Sequence, residues 1–285
     1  MARETADGEE FSGAQFYDAD NAIGRAYSPW RRSVAAGMAV LFAASIILIG
    51  LICTTGKAAA ADISGKRMAL PSKERQVTVS YFRAPGDTKR PAALLLHGAG
   101  GFHRRIAEYN HYASELANQG IDAYLLYYYS DQDERQMADG ANVFERRYEA
   151  WAKMVGELAG HLEAQKDSNG KVGLVGFSNG GILATGASTL DPKIHAAVIY
   201  YGTEPWPLAQ PAKRFPPLLI LHGDADRVIP VNAGIHLEIL AKSVDAKAEL
   251  VIYRGEGHGF GADLKNKNGA DGLKRTLAFL KQELL

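Results

Sequence analysis

The stretch Val172 to Gly181, read as V-G-L-V-G-F-S-N-G-G, constrains the fold of this chain more than any other. An apolar run of strand length stops at a serine boxed in by glycines, so the chain must leave a buried strand through a sharp turn. Gly176, Ser178 and Gly180 fit the pattern G-x-S-x-G, in which a strand turns directly into a helix and lifts a serine hydroxyl clear of the sheet. With the serine held in a strained conformation, a β-carbon on either side would crowd the turn, and glycine removes it. Three fixed positions in five recur by chance, and a glycine-rich turn after a strand is commonly only a turn. The pattern therefore needs a structural context that the rest of the chain must supply.

From Gln76 onward, apolar strand-like runs alternate with amphipathic helical ones, which predicts an α/β fold with a mainly parallel sheet. Val77 to Arg83 alternates as an outer strand, and Ala92 to His97 is a continuous apolar run of the kind buried on both faces. Ile106, Tyr109, Ala113 and Leu116 recur at helical spacing before Gly120, and Ile121 to Tyr127 supplies the next strand. Phe144, Tyr148, Trp151, Val155, Leu158 and Leu162 share one face of a long helix that leads to the strand before the serine. Beyond Ser178 the pattern predicts a helix over Ile182 to Ser188. Strands follow at His195 to Tyr201, Pro217 to His222 and Ala248 to Tyr253. Further helices fall at Val231 to Lys242 and around Leu273, Leu277, Leu280 and Leu284. No internal repeat or second domain is visible, so residues 76–285 are expected to form one catalytic domain.

The N-terminal quarter differs in kind. Residues 1–33 are polar, with no helical or strand period, and read as a disordered tail. Residues 34–53 are 20 mostly apolar positions without a charge, enough to span roughly 30 Å of hydrocarbon as a helix. That run predicts a membrane anchor or a long signal segment. Arg31 and Arg32 just before it favour an extracytoplasmic catalytic domain, and the alanines at 58–61 offer small-residue cleavage sites. Residues 54–75 read as a linker. Lys plus Arg equals Asp plus Glu at 32 each, so no overall field draws the chain to nucleic acid. Cys53 is the sole cysteine, which excludes an intramolecular disulfide. No histidine or carboxylate cluster shows ligand spacing, so no metal or cofactor is expected.

In open parallel sheets, ligands bind outside the carboxyl ends of the strands, and the loops there carry the distinctive residues. After the first buried strand comes His97-Gly98-Ala99-Gly100-Gly101, whose backbone N–H groups can point at an oxyanion; alone it reads more readily as a tight turn into a helix. After Pro217 to His222 come Asp224 and Asp226 in one short loop, and only one of them can orient a histidine. After the last strand comes His258 in a glycine-rich loop, within reach of a serine that needs a general base. Tyr128 and Tyr129 end a strand at the same edge and are candidates to line a substrate pocket, against the commoner role of strand aromatics in the core. His97 and His222 precede glycine turns and are expected to hydrogen-bond locally. Trp206, in the proline-rich connection from Thr203 to Pro217, is a candidate lid residue.

Gly176 to Gly181, Gly223 to Pro230 and Gly255 to Phe260 together resemble the dienelactone hydrolase family of α/β-hydrolases, a likeness that covers about residues 76–285. The resemblance implies the α/β-hydrolase fold and a triad in the order serine, acid, histidine. The family's acid, three residues after the glycine, falls on Asp226 rather than Asp224, and its histidine on His258. The enzymes that gave the family its name use a cysteine nucleophile and a glutamate in the first loop; Ser178 and the His97-Gly98 turn stand there instead. The expected activity is therefore hydrolysis of small-molecule carboxylic esters, lactones or thioesters through an acyl-enzyme. The amides of Asn179 and of Ala99 or Gly100 would form the oxyanion hole. Readings with the same residues are a serine peptidase of prolyl-oligopeptidase type, an acyltransferase, or a non-catalytic binding protein on the same fold.

Overall fold

The computed structural model describes residues 65–138, 142–205 and 212–285. The expected tail, the apolar segment 34–53, most of the 54–75 linker and Trp206 lie outside the described residues. Among the described residues, no helix is long and apolar enough to cross a membrane.

Eight strands form one sheet: β1 (Lys66–Pro71), β2 (Gln76–Phe82), β3 (Arg90–Leu96), β4 (Asp122–Leu126), β5 (Ser168–Phe177), β6 (Ile194–Tyr200), β7 (Leu218–Gly223) and β8 (Ala248–Tyr253). Their order is β1-β2-β4-β3-β5-β6-β7-β8. The β1–β2 and β2–β4 pairs are antiparallel, and every other pair is parallel. The helices are α1 (Ile106–Asn118), α2 (Asp131–Ala138), α3 (Val143–Glu163), α4 (Asn179–Leu190), α5 (Asn232–Ser243) and α6 (Lys267–Leu284). This is the α/β arrangement with a mainly parallel sheet expected from the alternating pattern.

The strand residues divide between two apolar layers as their alternation dictates. Leu94, Leu96, Val172 and Leu174 pack in one layer with residues of α3, α4 and α5. Ala93, Leu95, Val175 and Phe177 pack in the other with residues of α1 and α6. Fully burying a leucine of this kind contributes about 2 kcal/mol, and Leu94, Leu95 and Leu96 are all fully buried. Gly173 sets the depth of the second layer: a β-carbon there would come within 2.9 Å of Leu284 Cδ1.

One expectation is corrected, and one helix is added to those the sequence pattern placed. The stretch read as the end of a linker contains β1, hydrogen-bonded along its length to β2. Only Leu70 of its six residues is buried, so its sequence shows the polarity of a sheet edge facing water. As a result Val77 to Arg83 contributes the second strand, not the outer one. The acidic segment Asp131–Ala138, for which the sequence pattern placed no element, forms α2. It has no apolar stripe to betray a helix, and its acids in the first turn are stabilised by the helix dipole instead.

Candidate active site

The sheet delivers Ser178 at the carboxyl end of β5, between β3 and β6. Its backbone has φ +55° and ψ −118°, a conformation that costs an L-residue on the order of 1–3 kcal/mol. Neighbouring bonds hold it there: the Ser178 amide donates to the Tyr200 carbonyl at 3.0 Å, and the Ile182 amide donates to the Ser178 carbonyl at 3.0 Å. The flanking glycines are sterically required. A β-carbon on Gly176 would overlap the Gly180 carbonyl, and one on Gly180 would overlap the carbonyl oxygen of Leu96. The tight turn thus locks against both α4 and β3.

Three loops converge on this serine. His258 Nε2 lies 2.8 Å from Ser178 Oγ, and His258 Nδ1 lies 2.7 Å from Asp226 Oδ2. A carboxylate only accepts, so Nδ1 carries the proton and Nε2 presents its lone pair to the serine hydroxyl. The other oxygen of Asp226 accepts from the amides of Val228 at 2.8 Å and Ile229 at 2.9 Å. Asp224 is turned elsewhere: its Oδ1 accepts from the Gly255 amide at 2.6 Å, which ties down the start of the loop that carries His258.

The glycine-rich loop after β3 lies directly against the serine. A β-carbon on Gly98 would stand 3.3 Å from the Phe177 carbonyl and 3.4 Å from Ser178 Cβ. The turn is closed by the Gly101 amide donating to the Gly98 carbonyl at 3.1 Å. Ala99, Gly100 and Asn179 line, with Ser178 and His258, a cavity of about 320 Å³. Asn179 opens α4, so its amide is among the donors that a helix leaves without an internal partner.

The sequence profile described as "Dienelactone hydrolase family" matches residues 79–284. The chain belongs to the dienelactone hydrolase family. A "Putative carboxymethylenebutenolidase" of Salmonella typhimurium is 24% identical over 241 residues, covering 77% of this chain and 88% of that protein. The protein of the same description in Escherichia coli is 27% identical over 139 residues, and the match spans about half its length, 51%. Among solved structures, the dienelactone hydrolase-like promiscuous phosphotriesterase P91 from metagenomic libraries superposes with a TM-score of 0.66 at 16% identity. That alignment covers 77% of this chain and 98% of P91. An esterase of Pyrobaculum calidifontis superposes with a TM-score of 0.61 at 16% identity, covering 76% and 85%. At these identities the structural likeness shows the fold, and the family match shows a hydrolase of dienelactone hydrolase type.

In this member of the dienelactone hydrolase family, the expected pocket tyrosines do other work. Tyr128 is fully buried; its hydroxyl donates to the His97 carbonyl at 2.7 Å, and its ring stacks on the His97 imidazole at 4.0 Å. Tyr129 packs edge-on to the same imidazole at 4.6 Å and is also buried. Neither lines the cavity. They support the glycine-rich loop from beneath, and both rings also pack against Trp151 of α3. His97 and His222 bond locally as expected, His97 Nδ1 to the Gly98 carbonyl at 2.8 Å and His222 Nε2 to the Ile229 carbonyl at 2.8 Å. Burial pushes His97 down to about 3, so the imidazole is neutral.

The cavity walls hold residues that sequence reasoning missed. Tyr109, Tyr201, Ile182 and Val228 line it, with Arg104 and Arg105. Tyr201 has φ +37°, unusual for a bulky residue, and its ring packs edge-on to His258 at 4.8 Å. Burial holds the phenol of Tyr201 well above its ordinary range and lifts that of Tyr109 to about 12. Both stay protonated. Tyr201 directly follows β6, so the same rule that picked out the other loops would have found it. Among the described residues, no group of three or more histidine, cysteine, aspartate or glutamate side chains could hold a metal ion.

Proposed function

We propose that this protein is a serine hydrolase of carboxylic esters, lactones or thioesters. The reading rests above all on the continuous relay from Ser178 Oγ through His258 to Asp226, with links of 2.8 and 2.7 Å. A serine hydroxyl is a weak nucleophile at its own pKa, and a base in hydrogen-bond contact removes that obstacle. His258 Nε2 takes the proton as Ser178 Oγ attacks the acyl carbon. Asp226 holds the imidazole in the right tautomer and stabilises the imidazolium that forms. The tetrahedral oxygen gains charge against the amides of Asn179 and of Ala99 or Gly100; one such donor is worth on the order of 3 kcal/mol. His258 then returns the proton to the leaving oxygen or sulfur, leaving Ser178 acylated. Water, deprotonated by the same imidazole, releases the acid.

The esterase among the structural neighbours supports this chemistry, and Ser178 in the nucleophile's place favours general ester hydrolysis over the family's namesake reaction. The test is kinetic: with short-chain p-nitrophenyl esters, Ser178→Ala lowers kcat by roughly 10⁴-fold or more while the fold is retained. Equal turnover by wild type and variant would end this reading. We also propose that residues 34–53 anchor or export the chain with the catalytic domain outside the cytoplasm. Fractionation of full-length and residue-57-onward chains tests it: the anchor reading requires the full chain, and not the shorter one, in the membrane fraction, and the signal reading requires a cleaved, exported product.

A further inference from the structure

His222 ends β7 with its side chain fully buried, and the relay above does not use it. Its Nε2 is 2.8 Å from the Ile229 carbonyl, which can only accept, so Nε2 carries the proton. Nδ1 is then a bare lone pair; it is buried and has no hydrogen-bond partner among the described residues. On that side α5 packs so closely that a β-carbon on Gly234 would come within 2.8 Å of Nδ1. A buried acceptor without a donor is destabilising, and an apolar side chain of similar size would fill the same space without it. The polar contacts of this imidazole all lie on its other face.

That face meets the acid loop at two points. Nε2–H donates to the Ile229 carbonyl, while the Ile229 amide donates to Asp226 Oδ1 at 2.9 Å. The same Nε2 stands 3.6 Å from Asp226 Oδ2, too long for a hydrogen bond but close enough for its polar hydrogen to favour the carboxylate. Oδ2 is the oxygen that meets His258 Nδ1. On the reading that Asp226 is the triad acid, we propose that His222 is a positioning residue: it clamps Ile229 and faces Oδ2, fixing the carboxylate at the angle that meets His258. Burial lowers the pKa of His222, so it acts as a neutral donor; the titratable groups that bear on it are Asp226 and His258.

The test compares His222→Leu, which keeps bulk and loses the donor, with His222→Gln, whose amide N–H can reach the Ile229 carbonyl. For the leucine variant the expected loss in kcat is on the order of 10- to 100-fold, with KM within about twofold. The acidic limb of its kcat/KM profile moves to lower pH, because a displaced carboxylate favours the imidazolium less. The glutamine variant recovers most of the rate and the wild-type limb. An unmoved acidic limb in folded His222→Leu, or a glutamine variant no better than leucine, overturns the proposal. If the leucine variant does not fold, His222→Asn takes its place, since its shorter amide does not reach Ile229. The histidine NMR spectrum separates this inference from the enzymatic reading. The resonance of the His258 Nδ1 proton shifts or broadens in the leucine or asparagine variant and persists in the glutamine variant, whether or not the wild type turns over an ester. An identical resonance in all variants contradicts the inference, whereas wild type that turns over no ester contradicts only the enzymatic reading.

Discussion

At the scale of the residue, the two aspartates of the acid loop are separated by what their oxygens touch. Asp226 meets His258 at 2.7 Å and two backbone amides, while Asp224 meets the Gly255 amide. Asp226→Asn presents a hydrogen-bond donor where the imidazole needs an acceptor, so kcat should fall by roughly 10⁴-fold. Asp224→Asn, which only loosens a loop, should cost less than about tenfold. Steady-state kinetics on the two variants checks this, and the reverse ranking would move the acid. Tyr128 gives a contrasting case. Tyr128→Phe leaves the buried His97 carbonyl without its donor, a stability loss of about 1–3 kcal/mol. KM should hardly change, because Tyr128 does not reach the cavity; a raised KM in a variant of unchanged denaturation midpoint would restore the pocket role.

At the scale of the element, the tight turn between β5 and α4 is a packing solution as much as a catalytic one. Gly180→Ala would drive a methyl into the backbone carbonyls of β3, which cannot swing aside as a side chain can. Overpacking of this kind costs typically 1–3 kcal/mol and occasionally more. Denaturant unfolding should show that loss, with esterase activity falling in the folded fraction as well; an alanine variant of native stability would mean that the turn has slack. How far the sequence could be read follows from the same physics. β3, β5, β6 and β7 are buried on both faces, so runs such as Ala92 to Leu96 and Val172 to Phe177 admit hardly another reading. β1 escaped because an edge strand with one buried leucine looks like polar linker, and α2 because its acidic sequence carries no apolar stripe. Ser178, Asp226 and His258 were readable because each directly follows its own strand. Tyr109 was not, since in sequence a wall aromatic on a helix looks the same as a core one; Tyr201 was passed over although it directly follows β6.

At the scale of the whole molecule, buried histidines make the domain sensitive to acid. Burial depresses His97 to about 3 and lowers His222 below its ordinary value of 6.5, so the folded state holds both neutral. The unfolded chain takes up protons near pH 6.5 that the folded chain refuses. The stability linked to these groups is present in full above pH 6.5 and is lost as pH falls from there, for His97 down to about 3, at up to roughly 1.4 kcal/mol per pH unit for each. Unfolding free energies measured between pH 8 and 5 should be flat at first and then decline, and His97→Gln should flatten the decline. A slope unchanged by that substitution would assign the acid sensitivity elsewhere.

The proposed hydrolysis depends on one atom above all, the Ser178 hydroxyl that His258 contacts at 2.8 Å. Treatment with a fluorophosphonate followed by peptide mapping by mass spectrometry tests it most directly. The expected result is a single phosphonyl adduct on Ser178, formed by wild type, lost in Ser178→Ala and strongly slowed in His258→Ala. An adduct that persists in Ser178→Ala, or wild type left unlabelled at Ser178, would contradict the account.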